Sequence, residues 1–215
     1  MRKVVLSAIL LLGFVLSALA QTDAKAKAIL AQVSKKYRSY DVIKTDFTFT
    51  INNPQAKISE SESGTLYAKA KSNKYKVVLK SQELISDGRS QWTYVKADKE
   101  VQLSEVDNSP NALNPAQLFT IYEKGFKYLY AGDSKVNNRI VHVIDLTPTT
   151  KQSFFKIRLN VDKATKQISN AVIFDKNGSR YTYTIKSFTP NVKVSESIFA
   201  FDAKKHPGVE VVDLR

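Results

Sequence analysis

His142 and His206 are the only histidines in the chain of 215 residues, and no cysteine accompanies them. His142 alternates with Ile140 and Ile144 along one face of a strand-like run, the setting of a structural histidine. His206 precedes Pro207-Gly208 and reads as a turn residue. There is no H-x-x-x-H pair, no paired-carboxylate spacing and no serine nucleophile elbow. Asp87, Asp175 and Asp202 fall where turns and strand ends favour a short acceptor side chain. Neither acid–base catalysis nor metal ligation has a constellation to work with. The residues therefore point to a non-enzyme with no catalytic residue, no metal and no cofactor.

A second chemistry is electrostatic. The formal charge is +13, enough to bias which partners approach. Lys69, Lys71, Lys74, Lys76 and Lys80 cluster on one hairpin beside Tyr67 and Tyr75. A basic aromatic surface can bind single-stranded nucleic acid. The plainer account is a solvated outer face whose lysines guard strand edges, and it is preferred. Attraction to anionic membranes or an acidic partner is a third reading.

The N-terminus weighs against nucleic acid. Arg2 and Lys3 precede the apolar run "VVLSAILLLGFVLSALA", which closes on Ala18-Leu19-Ala20. This is the order of a cleaved signal peptide over residues 1–20, with Gln21 as the first mature residue. The run is short for a membrane anchor. No cysteine follows the cleavage site, so the mature chain carries no lipid of its own and no disulfide.

What remains is apolar surface. Phe47, Phe49, Leu66, Leu79, Trp92 and Tyr94 project from successive strands. Each alone reads as packed core. As a set they suggest a wall, because one curved sheet with only two covers has difficulty closing without a cavity.

The elements that position them are legible. From Asp23 a helix carries Ile29, Leu30, Val33 and Tyr37 on one stripe. After Tyr40 the period becomes two: "DFTFTIN", then "GTLYAKAK" and "KYKVVLK", with Tyr75, Val77 and Leu79 on one face. "QELISDG" and "SQWTYVK" form a hairpin around Asp87-Gly88, and "EVQLSEV" returns. Asn114 and Pro115 open a second helix, with Leu118, Phe119 and Tyr122 on its stripe and Gly125 as the stop. "FKYLYAG", "RIVHVIDLTP", "FKIRLNVD", "ISNAVIFD" and "RYTYTIKSF" resume the strands, and one helical turn is expected in "VSESIFAFD". About eleven strands and two helices, with no linker or repeat, predict a single domain over 21–215. Its core is one strongly curved antiparallel sheet with the helices as covers.

At this point the residues resemble a known family. "TDFTFT", Gly64-Thr65-Leu66-Tyr67, "LISDGRSQWTY", "NPAQLF" and "FAFDAKKHPGVEVVDLR" resemble, in order, motifs of LolA, the periplasmic carrier of outer-membrane lipoproteins. The resemblance implies a mainly β fold with α-helices: an unclosed β-barrel under a helical lid, its concave face holding acyl chains. It implies a monomeric carrier in the periplasm that binds acylated lipoproteins. An ATP-driven lipoprotein-releasing complex in the inner membrane would load it, and an outer-membrane acceptor would unload it; nucleic acid is not a partner. The expected acyl-chain wall comprises Leu30, Val33, Phe47, Phe49, Leu66, Val77, Leu79, Trp92, Tyr94, Leu118, Phe119 and Tyr122. One motif departs from the family. An arginine that latches the lid is expected near Lys69-Ala70-Lys71, where a lysine cannot reproduce its planar fork. The alternative from another class is a sensing or regulatory module of the same fold that binds a lipid or protein without passing it on.

Overall fold

The computed structural model describes residues 24–107 and 119–215. The expected signal peptide, Asn114, Pro115 and Leu118 lie outside the described residues. A helix, α1, spans residues 24–38. Strands β1 (Ile43–Asn53), β2 (Ile58–Lys69), β3 (Lys74–Leu79), β4 (Gln82–Ser86), β5 (Ser90–Val95) and β6 (Glu100–Glu105) follow. After a 3-10 turn at Ile121–Glu123 come β7 (Phe126–Val136), β8 (Arg139–Pro148), β9 (Phe154–Asp162), β10 (Ile168–Asp175) and β11 (Arg180–Pro190). A 3-10 turn at Glu196–Phe199 precedes β12 (Glu210–Asp213).

All twelve strands join one sheet in the order β12-β6-β5-β4-β3-β2-β1-β11-β10-β9-β8-β7. β12 and β7 do not meet, so the curved sheet is an unclosed barrel. The expected helical turn in "VSESIFAFD" is present at Glu196–Phe199. The strand beyond the expected eleven is β12, which pairs in parallel with β6 where every other pair is antiparallel.

β1 lies at the centre of this order, and its alternation sets the inner face. Phe47 stands opposite Gly64, and Gly64 opposite Leu79; Leu66 stands opposite Val77, and Val77 opposite Leu84. On the other flank Phe47 meets Ile185, Phe49 meets Tyr183 and Ile51 meets Tyr181. A Cβ on Gly64 would lie 2.6 Å from Leu79 Cδ2 and 2.9 Å from Phe47 Cζ. Glycine is thus what lets the Phe47 ring and Leu79 close over β2. α1 lays Ala26, Ile29, Leu30, Val33 and Tyr37 on this face, all buried in one cluster with Phe47, Leu66, Val77, Ile144, Leu146 and Leu159.

The apolar surface changes sides near the β4–β5 hairpin. Leu84 faces inward with Thr93, so Ile85 and Trp92 face outward together. Trp92 and Tyr94 then stand opposite Leu103 and Val101. The C-terminal segment covers this outer cluster: Tyr94 packs 5.7 Å from Phe201 and 4.9 Å from His206, ring to ring. The turn that sets the register is tightly held. Asp87 Oδ1 accepts from the Arg89 and Ser90 amides, and Gly88 adopts φ +95 with the Ser72 carbonyl 2.5 Å from where a Cβ would sit.

Candidate functional site

The inner wall and the elements that cover it form the candidate site. Phe119 and the Ile121–Glu123 turn lie beside α1, and the seam between them is mostly aromatic. The rings of Tyr37 and Phe119 stack at 4.5 Å, and both meet Phe188 edge-on. Few polar ties cross the covers. Ser34 Oγ donates to the Tyr122 hydroxyl at 3.1 Å, and the Ile168 amide donates to the Tyr37 hydroxyl at 3.2 Å. Lys36 Nζ donates to the Thr165 carbonyl at 2.5 Å. Arg38 forms a forked pair with Glu123. Tyr128 donates to the Tyr122 carbonyl at 2.7 Å.

The electrostatics keep this interior neutral. Burial pushes the Tyr37 and Tyr122 phenols well above the ordinary tyrosine range, and Tyr75 up to about 12. Burial also tends to raise Glu123, but the forked hydrogen bonds and charge of Arg38 outweigh it and hold the carboxyl below its usual range. No group of three or more His, Cys, Asp or Glu side chains among the described residues could hold a metal. The arrangement suits the burial of apolar matter.

Of the twelve wall residues expected, seven share the buried inner cluster: Leu30, Val33, Phe47, Leu66, Val77, Phe119 and Tyr122. Phe49 and Leu79 pack against it half-buried. Leu118 lies outside the described residues. Trp92 and Tyr94 are corrected by the structure: they share a face, as their spacing requires, but it is the outer one. The reason is the Asp87-Gly88 register, which pairs Trp92 with Ile85 and so places it opposite in sense to Leu84. Sequence reasoning missed Tyr181, Tyr183 and Ile185, whose Y-T-Y-T-I alternation was the available signal.

These missed tyrosines mark where the cover thins. α1 ends over the start of β1, where Tyr37 meets Phe188 and Ile168. At the opposite end, Phe49, Ile51, Leu79, Tyr181 and Tyr183 are only half-buried. Phe49 stacks on Tyr181 at 6.2 Å and tilts against Tyr183 at 4.8 Å. This half-covered aromatic margin is the candidate mouth of the inner face.

The departure at Lys69-Ala70-Lys71 also resolves into geometry. Lys69 Nζ meets Glu196 Oε1 at 2.5 Å, and Lys74 meets Oε2 of the same carboxylate at 2.9 Å. Lys69 therefore ties β2 to the C-terminal turn on the outer face. Among the described residues, the forked guanidinium on the covers is Arg38, inside the seam itself.

The family model described as "Outer membrane lipoprotein carrier protein LolA" matches residues 38–202. No curated protein sequence matches the chain. A solved structure of an uncharacterized conserved protein from Thermus thermophilus is 14% identical, with TM-score 0.57, over 88% of this chain and 99% of that one. A LolA superfamily protein from Nitrosomonas europaea is 11% identical, with TM-score 0.46, over 82% of this chain and 97% of that one. The MucA/MucB complex structure of Pseudomonas aeruginosa is matched at 15% identity and TM-score 0.46, over 85% of this chain and 62% of that one.

Proposed function

The chain belongs to the LolA family of outer membrane lipoprotein carrier proteins, and from that premise we propose that it carries acylated lipoproteins between membranes. In this reading residues 1–20 direct export to the periplasm and are removed. An inner-membrane ATP-driven complex loads the carrier, and an outer-membrane acceptor empties it. The observation that carries the proposal is the make-up of the seam. One continuous apolar wall is covered by a stripe of Ala26, Ile29, Leu30, Val33 and Tyr37 that only a few hydrogen bonds tie down.

Such a cover can be replaced by something equally apolar. An acyl chain entering past Phe49, Tyr181 and Tyr183 exchanges one hydrocarbon surface for another on the inner wall. Hydrophobic burial on that wall is thereby largely conserved. The net cost is the polar seam, where each neutral hydrogen bond contributes about 1 kcal/mol. The gain is the burial of the chain itself, about 0.8 kcal/mol per methylene. A chain of a dozen or more methylenes outweighs the seam, whereas a short one does not. Against water the carrier therefore holds a long acyl chain, whereas a bilayer buries the same methylenes, and in this reading removal from it is driven by the ATP-driven complex.

The test is release. Purified protein is incubated, with ATP, with inner membranes that hold a labelled lipoprotein and the releasing complex, and the soluble fraction is assayed for a stoichiometric complex. Release of labelled lipoprotein into solution is expected. If no lipoprotein is released but a soluble protein domain is bound, the chain is a regulatory module of the same fold and the carrier reading fails.

A further inference from the structure

Exposed apolar side chains are ordinary when scattered, but one group here is not scattered. Phe155, at the start of β9, is 51% exposed. Its ring lies 6.1 Å from that of Phe174, at the end of β10. Two cations cover Phe174: Lys156 Nζ at 4.4 Å from the ring centroid and Arg180 Cζ at 5.7 Å. Lys151 and Lys176 stand exposed on the adjoining turns, and Lys176 is held in place by the Gln152 carbonyl at 2.7 Å. Carboxylates nearby are already engaged. Asp145 takes Arg158 at 2.7 Å on both oxygens, leaving Lys156 a looser contact at 3.8 Å. Asp175 accepts the Asn177 amide in its own turn. The patch therefore offers two aromatic rings within a ring of excess positive charge.

Its position matters as much as its chemistry. Arg180 pairs with Asn52, one residue past Ile51, so the patch lies at the end of the sheet where Phe49, Ile51, Tyr181 and Tyr183 are half-buried. It is the outer lip of the mouth. We propose that this lip docks the protein on an anionic bilayer, with Phe155 entering the headgroup–acyl boundary and the four cations Lys151, Lys156, Lys176 and Arg180 facing lipid phosphates. Aromatic rings with flanking lysines and arginines suit that boundary, because the ring enters the apolar layer while the charges stay with the headgroups. Each basic residue near such a surface contributes about 1 kcal/mol, and aligned cations add. Docked this way, the protein presents the opening of its inner face to the membrane instead of to bulk water.

The test needs no lipoprotein, so it stands apart from the carrier reading. The purified exported chain is sedimented with vesicles of phosphatidylglycerol and phosphatidylethanolamine, and separately with pure phosphatidylcholine. Binding to the anionic vesicles alone is expected, weakening as salt rises. Lys156→Gln and Lys176→Gln should each weaken it about fivefold, the equivalent of about 1 kcal/mol per cation. Phe155→Ser should weaken it further at little cost in melting temperature, since the ring is 51% exposed and Phe174 is its one ring partner among the described residues. Ile140→Ser, equally exposed at 52% but at the other end of β8, is the control and should bind as the parent does. Acyl-probe binding in solution should survive in all four variants, which separates this surface from the inner wall. Equal binding to both vesicle types, no binding to either, or unchanged binding by Phe155→Ser and the lysine variants would overturn the proposal.

Discussion

Truncating Phe49 separates the inner wall from the rest of the core. A fully buried phenylalanine costs about 3–5 kcal/mol when cut to alanine. Phe49 is half-buried, its ring resting on Tyr181 at 6.2 Å and Tyr183 at 4.8 Å. About half the usual contacts are lost, so Phe49→Ala should cost about 2 kcal/mol. For a domain of this size that lowers the melting temperature by about 4–8 °C. The same ring would lie against an acyl chain at the mouth. If it covers about two methylenes, its loss removes about 1.6 kcal/mol of binding, roughly fifteenfold in affinity. Phe47, 8% exposed beneath Gly64, should cost the full 3–5 kcal/mol. Trp92→Ala tests the other side of the sheet. It removes contact with Ile85 and Leu103 and should destabilise, yet leave probe affinity unchanged. The assays are calorimetric melting and titration with a fluorescent long-chain acyl probe. If Phe49→Ala binds probe like the parent while Trp92→Ala does not, the assignment of faces to function is wrong.

Four further outcomes are expected. Gly64→Ala should destabilise by about 1–3 kcal/mol, read as a lower denaturant midpoint at unchanged slope, because its Cβ meets Leu79, Phe47 and the Val78 carbonyl within 3.0 Å. The Arg38–Glu123 pair stabilises the seam fully above the ordinary carboxylate value of 4.5 and is lost as pH falls through the lowered value. Protection factors of α1 amides, taken against the intrinsic exchange rate at each pH, should therefore fall in acid, and Glu123→Gln should remove that fall. Tyr37 and Tyr122 act in the opposite range: their raised values mean stability is intact below the ordinary value of 10.0 and is lost as pH rises beyond it, with Tyr37→Phe delaying the alkaline transition. Intact-mass measurement of the exported chain should show Gln21 as its first residue, and retention of Met1 would refute cleavage.

The inner face was readable wherever alternation was strict. Phe47-x-Phe49-x-Ile51 and Tyr75-x-Val77-x-Leu79 state their shared faces, and the structure places both sets inward. Alternation says which residues travel together, but not which side is concave. Leu84 and Ile85 are adjacent and both apolar, so β4 could have turned either one inward; the Asp87-Gly88 register decided, and Trp92 went outward. The first half of β2 was hidden for another reason. "ISESES" has no apolar face, and it is a strand only because β1 supplies a ladder from Asn53 to Thr48. β12 was hidden because its partner β6 is remote in sequence and parallel, and no turn signal announces such a pairing. Tyr181 and Tyr183 were placed on a strand correctly, but their proximity to Phe49 depends on a pairing across most of the chain.

That pairing has a consequence in time. β1 lies in the middle of the sheet, yet one of its two neighbours is β11, and Thr45 donates to the Ser187 carbonyl 142 residues further on. A chain emerging from its N-terminus can zip β1 to β2 early, but it must wait for nearly everything else before the other flank is filled. Sheets closed by such remote contacts fold on the millisecond-to-second scale. During that wait β1 is a bare edge with Phe47 and Phe49 uncovered, the kind of edge that recruits strands from other chains. A nascent copy therefore keeps that edge open for as long as residues 180–190 are outstanding. A chain that stops short of Arg180 never loses that edge.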